Sequence, residues 1–223
     1  MTKTRVGVLI SGRGSNLQAL IEAAKAPSFP AEIVLVVSNV ANAQGLGRAK
    51  AASIPARTID HKGFASREAF DAALTETLEA ARVELLCNAG FMRLHSEGFV
   101  KHWWNRHLNI HPSLLPAFPG LKTHARVLDA GVKLSGCTVH FVRLAMDTGP
   151  IVAQAAVRVL PGDTGDSLGA RVLAAEHRLY PHALRLVASG AVGVKGEIVA
   201  SSAGIEAKGP QAALFSPSLD EGL

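Results

Sequence analysis

Three polar side chains raise the question of what this sequence could do chemically. Asn109 and His111 stand two apart in Leu108-Asn109-Ile110-His111. In a strand, residues two apart share a face. An amide and an imidazole would then lie side by side, with Leu108 and Ile110 turned into the core. Polar groups at the end of a buried strand need partners, and a purely structural hydrogen-bonded pair would meet that need too. Asp147 sits in Asp147-Thr148-Gly149-Pro150. A carboxylate near His111 would favour the imidazolium form, whereas an Asp beside Gly-Pro commonly just makes a turn. The stretch Pro112-Ser113-Leu114-Leu115-Pro116 fixes the chain as it leaves the strand. Its Leu115–Pro116 bond is expected to be cis.

A second feature lies near the start. Ser11-Gly12-Arg13-Gly14-Ser15-Asn16 follows an apolar strand and opens a helix, a place where backbone amides and the helix dipole favour an anion. The dinucleotide fingerprint is incomplete: Leu17 stands where a third glycine belongs, and Ser38-Asn39 where an acid belongs. The Gly-Lys-Ser/Thr of a P-loop is also missing. A small phosphate monoester is therefore favoured over NAD or ATP, against the plainer reading of a tight turn with no ligand.

Other chemistries find little support. His107 and His111 straddle a strand start, His177 and His182 flank a proline without a third ligand, and no Cys/His cluster exists, so no metal site is expected. No serine lies in a Gly-x-Ser-x-Gly elbow. The net charge of +5 suits an anionic small molecule, and the scattered Lys and Arg do not form a nucleic-acid face. Cys87 and Cys137 lie in apolar runs and read as buried free thiols. Met1-Thr2-Lys3-Thr4-Arg5 leads straight into a strand and no apolar run reaches spanning length, so the expectation is a cytoplasmic protein with no membrane partner.

The elements that must position these residues alternate. Strands are expected at Arg5–Ile10, Glu32–Ser38, Ala56–Asp60, Glu84–Ala89, Leu108–His111, Val139–Val142 and Ile151–Val157. Helices are expected at Leu17–Ala26, Gln44–Ser53, Ser66–Ala81 and Asp166–Ser189, the third with Phe70, Leu74 and Leu78 at helical spacing and a Ser66 cap. Alternation of this kind predicts an α/β fold: a single Rossmann-like domain with a mostly parallel central sheet and helices on both faces. Its ligands belong at the carboxyl ends of the strands, where the strand order reverses. The domain is expected to span 1–190, with a nucleotide-binding half to about residue 100 and a catalytic half beyond it. A Gly/Ala/Ser-rich extension, 191–223, would hold a small hairpin and then a flexible tail.

Several separated motifs, in order, carry a resemblance. They are Ser11–Leu17, Ser66-Arg67-Glu68, Ala89-Gly90-Phe91-Met92-Arg93, Asn109–Pro116, Pro119-Gly120-Leu121, Gly136–Val142, Asp147–Pro150 and Glu176–Pro181. Together they resemble the phosphoribosylglycinamide formyltransferase family, folate-dependent enzymes of purine synthesis. The resemblance implies transfer of a formyl group from 10-formyltetrahydrofolate, a co-substrate, to the amino group of glycinamide ribonucleotide, without a metal. It implies Asn109, His111 and Asp147 as the catalytic group. Gly14, Ser15 and Asn16 would hold the phosphate, and Glu176 would contact the ribonucleotide. Arg67, Asn109 and the backbone of Met92, Arg93, Leu94 and His95 would bind folate. Thr148 stands where the family often has glycine, and Arg143-Leu144-Ala145-Met146 lacks the acids common there. Related enzymes that act on tRNA or hydrolyse formyl-folate carry extra domains, and the expectation is that this protein is neither of them. Two copies could pair through an apolar edge or helix face that the sequence does not locate.

Overall fold

The computed structural model describes residues 2–201. Seven strands form one sheet: β1 (Thr4–Ile10), β2 (Ala31–Ser38), β3 (Ala56–Thr58), β4 (Leu85–Asn88), β5 (His107–His111), β6 (Leu134–Phe141) and β7 (Ile151–Arg158). Their order is β3-β2-β1-β4-β5-β6-β7. Neighbours from β3 to β5 run parallel, and the β5–β6 and β6–β7 pairs are antiparallel. The chain winds outward from β1 to β3, then returns to lay β4 against the other side of β1. That reversal opens a crevice at the carboxyl ends of β1 and β4.

Among the described residues, six α-helices cover the sheet: α1 (Ser15–Ala24), α2 (Gln44–Ala51), α3 (Arg67–Ala80), α4 (Glu97–His102), α5 (Thr123–Asp129) and α6 (Gly165–Ala188). The period-2 alternation of strands sorts their side chains between two cores. Val6, Val8 and Ile10 of β1 join Leu17, Leu20, Val127, Leu168 and Val172 of α1, α5 and α6. Leu9 of β1 joins Phe70, Leu74, Leu78, Phe99 and Trp103 on the α3–α4 side. Both cysteines are buried free thiols, and burial pushes each up to about 12. Among the described residues, no helix is long and apolar enough to cross a membrane.

Ser66 caps α3, accepting from Ala69 N at 3.1 Å, and the Leu115–Pro116 bond is cis. Other boundaries differ from expectation for local reasons. The third strand stops at Thr58, because the Asp60 side chain accepts from Lys62 N at 3.0 Å and starts a 3₁₀ turn over His61–Gly63. The helices α4 and α5 were not visible in the sequence, since six and seven residues are too few to establish a helical repeat. β6 begins at Leu134, ahead of the expected Val139; Ser135 and Gly136 hide it from apolar patterning. Beyond α6 a hairpin forms from β8 (Val192–Lys195) and β9 (Ile198–Ser201), and the expected flexible tail lies outside the described residues.

One buried side chain ties the end of β4 to the start of β5. The Tyr180 hydroxyl, on α6, donates to the carbonyls of Asn88 at 2.9 Å and Leu108 at 3.3 Å. Tyr180→Phe leaves the ring packing and strands those acceptors. It should lower unfolding free energy by about 1 kcal/mol, read from urea melts of the two proteins.

Candidate active site

The Gly-rich turn is held open by close backbone contact. Gly14 has φ 69°, and a Cβ there would lie 2.6 Å from the Gly45 Cα at the start of α2. Only glycine tolerates both constraints. Gly45 N donates to Gly12 O at 3.0 Å, and Arg48 Nε donates to Arg13 O at 2.9 Å. Gly14 is also the N-cap of α1, so no side chain covers that helix start, and its first turn holds no acid. The unpaired first amides of the helix are therefore available to an anion.

Behind the turn, Asn16 Nδ2 donates to Glu176 Oε2 at 2.7 Å. Both residues are buried, and Asn16 Oδ1 has no partner among the described residues. Burial pushes the Glu176 carboxyl above its usual value, against the pull of the Asn16 hydrogen bond. Glu176 lies on the buried stripe of α6 between Val172 and Tyr180. A carboxylate placed there costs stability unless something else meets it.

The second half of the site is built on β5 and β6. Their antiparallel register puts Asn109 opposite His140 and His111 opposite Thr138. Asn109 Nδ2 lies 3.2 Å from His140 Nε2, which lies 3.7 Å from Asp147 Oδ1. The other carboxylate oxygen, Asp147 Oδ2, is 3.2 Å from His111 Nδ1 and accepts from Gly120 N at 2.9 Å. His111 Nε2 donates to Phe118 O at 2.9 Å. Each nitrogen of His111 thus faces an oxygen that can only accept. Burial pushes the Asp147 carboxyl up, but the nearby His140 imidazole, the hydrogen bond from the Gly120 amide and the His111 ring hold it below the ordinary range. Asp147 itself is left-handed, φ 57°, a conformation that only a surrounding structure enforces.

That enforcement is visible. At Gly149 a Cβ would lie 1.7 Å from Phe141 O, so the loop returns tightly across the end of β6. Arg143, at the loop's start, donates to Asn105 Oδ1 at 2.7 Å and to Glu197 Oε2 at 2.8 Å, with its guanidinium 3.8 Å from the centre of the Trp104 ring. The loop that lacks acids is therefore tied down by a cation, partly to the β8–β9 turn.

The stretch after β4 carries the remaining candidates. Met92 and Leu94 are exposed apolar side chains, and the Arg93 guanidinium lies over Phe70 at 5.4 Å. The His95 ring stacks between Phe91 and Phe99, so its side chain anchors the loop. Asp71, buried on α3, accepts from Ser96 N at 2.5 Å and from His95 Nδ1 at 3.3 Å. Burial pushes the Asp71 carboxyl up, and these donors bring it below its usual value. Arg67 is exposed at the start of α3 and makes no ion pair among the described residues.

The structure thus joins Asn109, His111 and Asp147 in one chain of contacts, and Asn16 with Glu176 in another. Three contributors escaped the sequence reading. His140 could have been found, since Thr138 and His140 alternate on one strand face as Asn109 and His111 do. Asp71 shares a helical stripe with Leu74 and Leu78, which marks a buried acid. Gly45 had no local signal, because the Cα it must clear belongs to another loop.

The model of the formyl transferase family matches residues 4–184. A phosphoribosylglycinamide formyltransferase of Escherichia coli (strain K12) is 45% identical over 82% of this chain and 86% of its own length. The trifunctional purine biosynthetic protein adenosine-3 of Gallus gallus is 57% identical over 86% of this chain, which spans only 19% of that protein. A crystal structure of glycinamide ribonucleotide transformylase 1 from Symbiobacterium toebii superposes with TM-score 0.87 at 50% identity, covering 89% of this chain and 94% of that one.

The Asp71 geometry yields a stability prediction. A carboxyl whose folded pKa is depressed contributes stability above its unfolded value and loses it as pH falls through the folded value. Asp71→Asn should cost about 1–3 kcal/mol at pH 7. In denaturant melts the gap from the parent protein should narrow once pH drops below 3.8. A gap of constant size would mean that the Asp71 charge does not matter.

Proposed function

The chain belongs to the formyl transferase family, whose co-substrate is a formyl-folate, and on that footing we propose that it transfers the formyl group of 10-formyltetrahydrofolate to the amino group of glycinamide ribonucleotide. The products are formylglycinamide ribonucleotide and tetrahydrofolate. The observation that carries this reading is the Asp147 carboxylate, set between His111 and His140 with the Asn109 amide beside them.

In this reading the substrate nitrogen attacks the formyl carbon, giving a tetrahedral centre with negative oxygen. The carbon–N10 bond then breaks, its electron pair stays on N10, and N10 takes up a proton as the amine gives one up. The His111 imidazolium and the Asn109 amide stabilise the oxyanion. Asp147 sustains the positive charge on His111 and accepts the amine proton, directly or through water. No covalent enzyme intermediate is needed. Gly14, Ser15 and Asn16 hold the phosphate at the start of α1, and Glu176 accepts from the ribonucleotide. The exposed Arg67, the Met92–His95 backbone and Asn109 receive the folate. The domain responsible is 1–190, and the cytoplasm is the setting that suits these small-molecule substrates.

The test is a spectroscopic assay with both substrates. Transfer of the formyl group supports the reading, and release of formate without transfer replaces it with hydrolysis. Asp147→Asn should lower kcat by about 10²–10⁴-fold with a much smaller change in either KM, and normal turnover would remove Asp147 from the chemistry. His111→Ala should be equally severe. Glu176→Gln should behave differently. Because burial raises the Glu176 pKa, its ionised form is a liability in the unliganded protein, present as pH rises through the folded value. The variant should melt at a higher temperature at pH 7, yet show a raised KM for the ribonucleotide.

A further inference from the structure

The phosphate turn and the Met92–His95 stretch are joined through one hydroxyl that has so far had no role. Ser11 directly follows β1 and precedes Gly12. Its N–H donates to Gly90 O at 3.1 Å. Its Oγ accepts from Met92 N at 2.8 Å and donates to Asn39 Oδ1 at 2.6 Å. Asn39 follows β2, and it is buried. A hydroxyl has a single proton. Once that proton is given to Asn39, only a lone pair can face the Met92 amide. The hydroxyl therefore has one orientation, and it ties together the loops after β1, β2 and β4.

We propose that Ser11 is a positioning residue that couples the two substrate sites. This rests on the formyl-transfer reading above. A phosphate held at Gly14–Asn16 immobilises the turn that begins at Ser11. Through Met92 N, the same contact fixes the first residue of the backbone that receives folate. The ordering needed by the second ligand has then already been met by the first, so each ligand should tighten the other by the same factor. Ser11 touches neither substrate in this scheme. Asn39 acts one step further back, by orienting the hydroxyl.

Calorimetric titration of the full chain tests the idea, with tetrahydrofolate and glycinamide ribonucleotide as probes, each alone and in the presence of the other. The parent protein should show about fivefold to tenfold mutual tightening. Ser11→Ala should bring that factor close to one. Ser11→Thr, which keeps the hydroxyl, should restore most of it. Asn39→Ala should reduce it without removing it, and it reads the same contact should Ser11→Ala fail to fold. A purely structural Ser11 would lower the melting temperature and leave the coupling factor alone, and that result overturns the proposal. So does a parent protein that binds both ligands independently, although formyl transfer would then still stand. If neither ligand binds the parent protein, the proposed function falls and the coupling with it.

Discussion

A carboxylate removed from water must be compensated where it stands, and Asp147 is compensated from three directions. The Gly120 amide, His111 and His140 each come from a different segment. Stripping partners from a buried charge typically costs several kcal/mol. The loops around Asp147 are therefore held in the arrangement that satisfies it. The left-handed backbone at Asp147 and the close return of Gly149 over Phe141 belong to the same constraint. Without the antiparallel β5–β6 pairing, neither histidine would be in reach.

Strain and burial at this site have to be supported elsewhere. The Pro112–Gly120 loop is clamped by Thr138, whose hydroxyl donates to Ser113 O at 2.7 Å and accepts from Leu115 N at 3.0 Å. Gln154 on β7 adds a bond to Leu115 O at 2.9 Å. The outer antiparallel strands thus hold the loop whose carbonyl at Phe118 orients His111. Glu176 is the opposite case, a buried acid that among the described residues has only Asn16 to meet it. The two acids end up on opposite sides of the ordinary carboxylate range, because Glu176 is the more deeply buried and has one donor where Asp147 has several partners.

The loops at the strand ends act as one surface because short polar side chains bridge them. Ser11 joins three loops, Asp71 fixes the far end of the 91–96 stretch, and Tyr180 links the end of β4 to the start of β5. Ser11 and Tyr180 lie within sequence motifs, but the motifs do not show which atoms they bridge. Each bridge is a polar atom satisfied across a large sequence separation, and hydrogen-bond geometry of that kind has no periodicity for a sequence to display.

The sequence by itself determined what is local. Alternating apolar runs set the strands, the spacing of Phe70, Leu74 and Leu78 set α3, and the parity of Asn109 and His111 set their shared face. Gly14 marked the turn because a left-handed residue is a local demand. Folding decided everything that depends on which strands become neighbours. His140 became part of the site only through its register opposite Asn109, and Gly45 became necessary only because Gly14 packs against it. The helices α4 and α5 are too short for their own periodicity and take their shape from the surfaces they cover. Side-chain patterning is written residue by residue, whereas electrostatic compensation of a buried group is a property of the space around it, and only the tertiary structure creates that space.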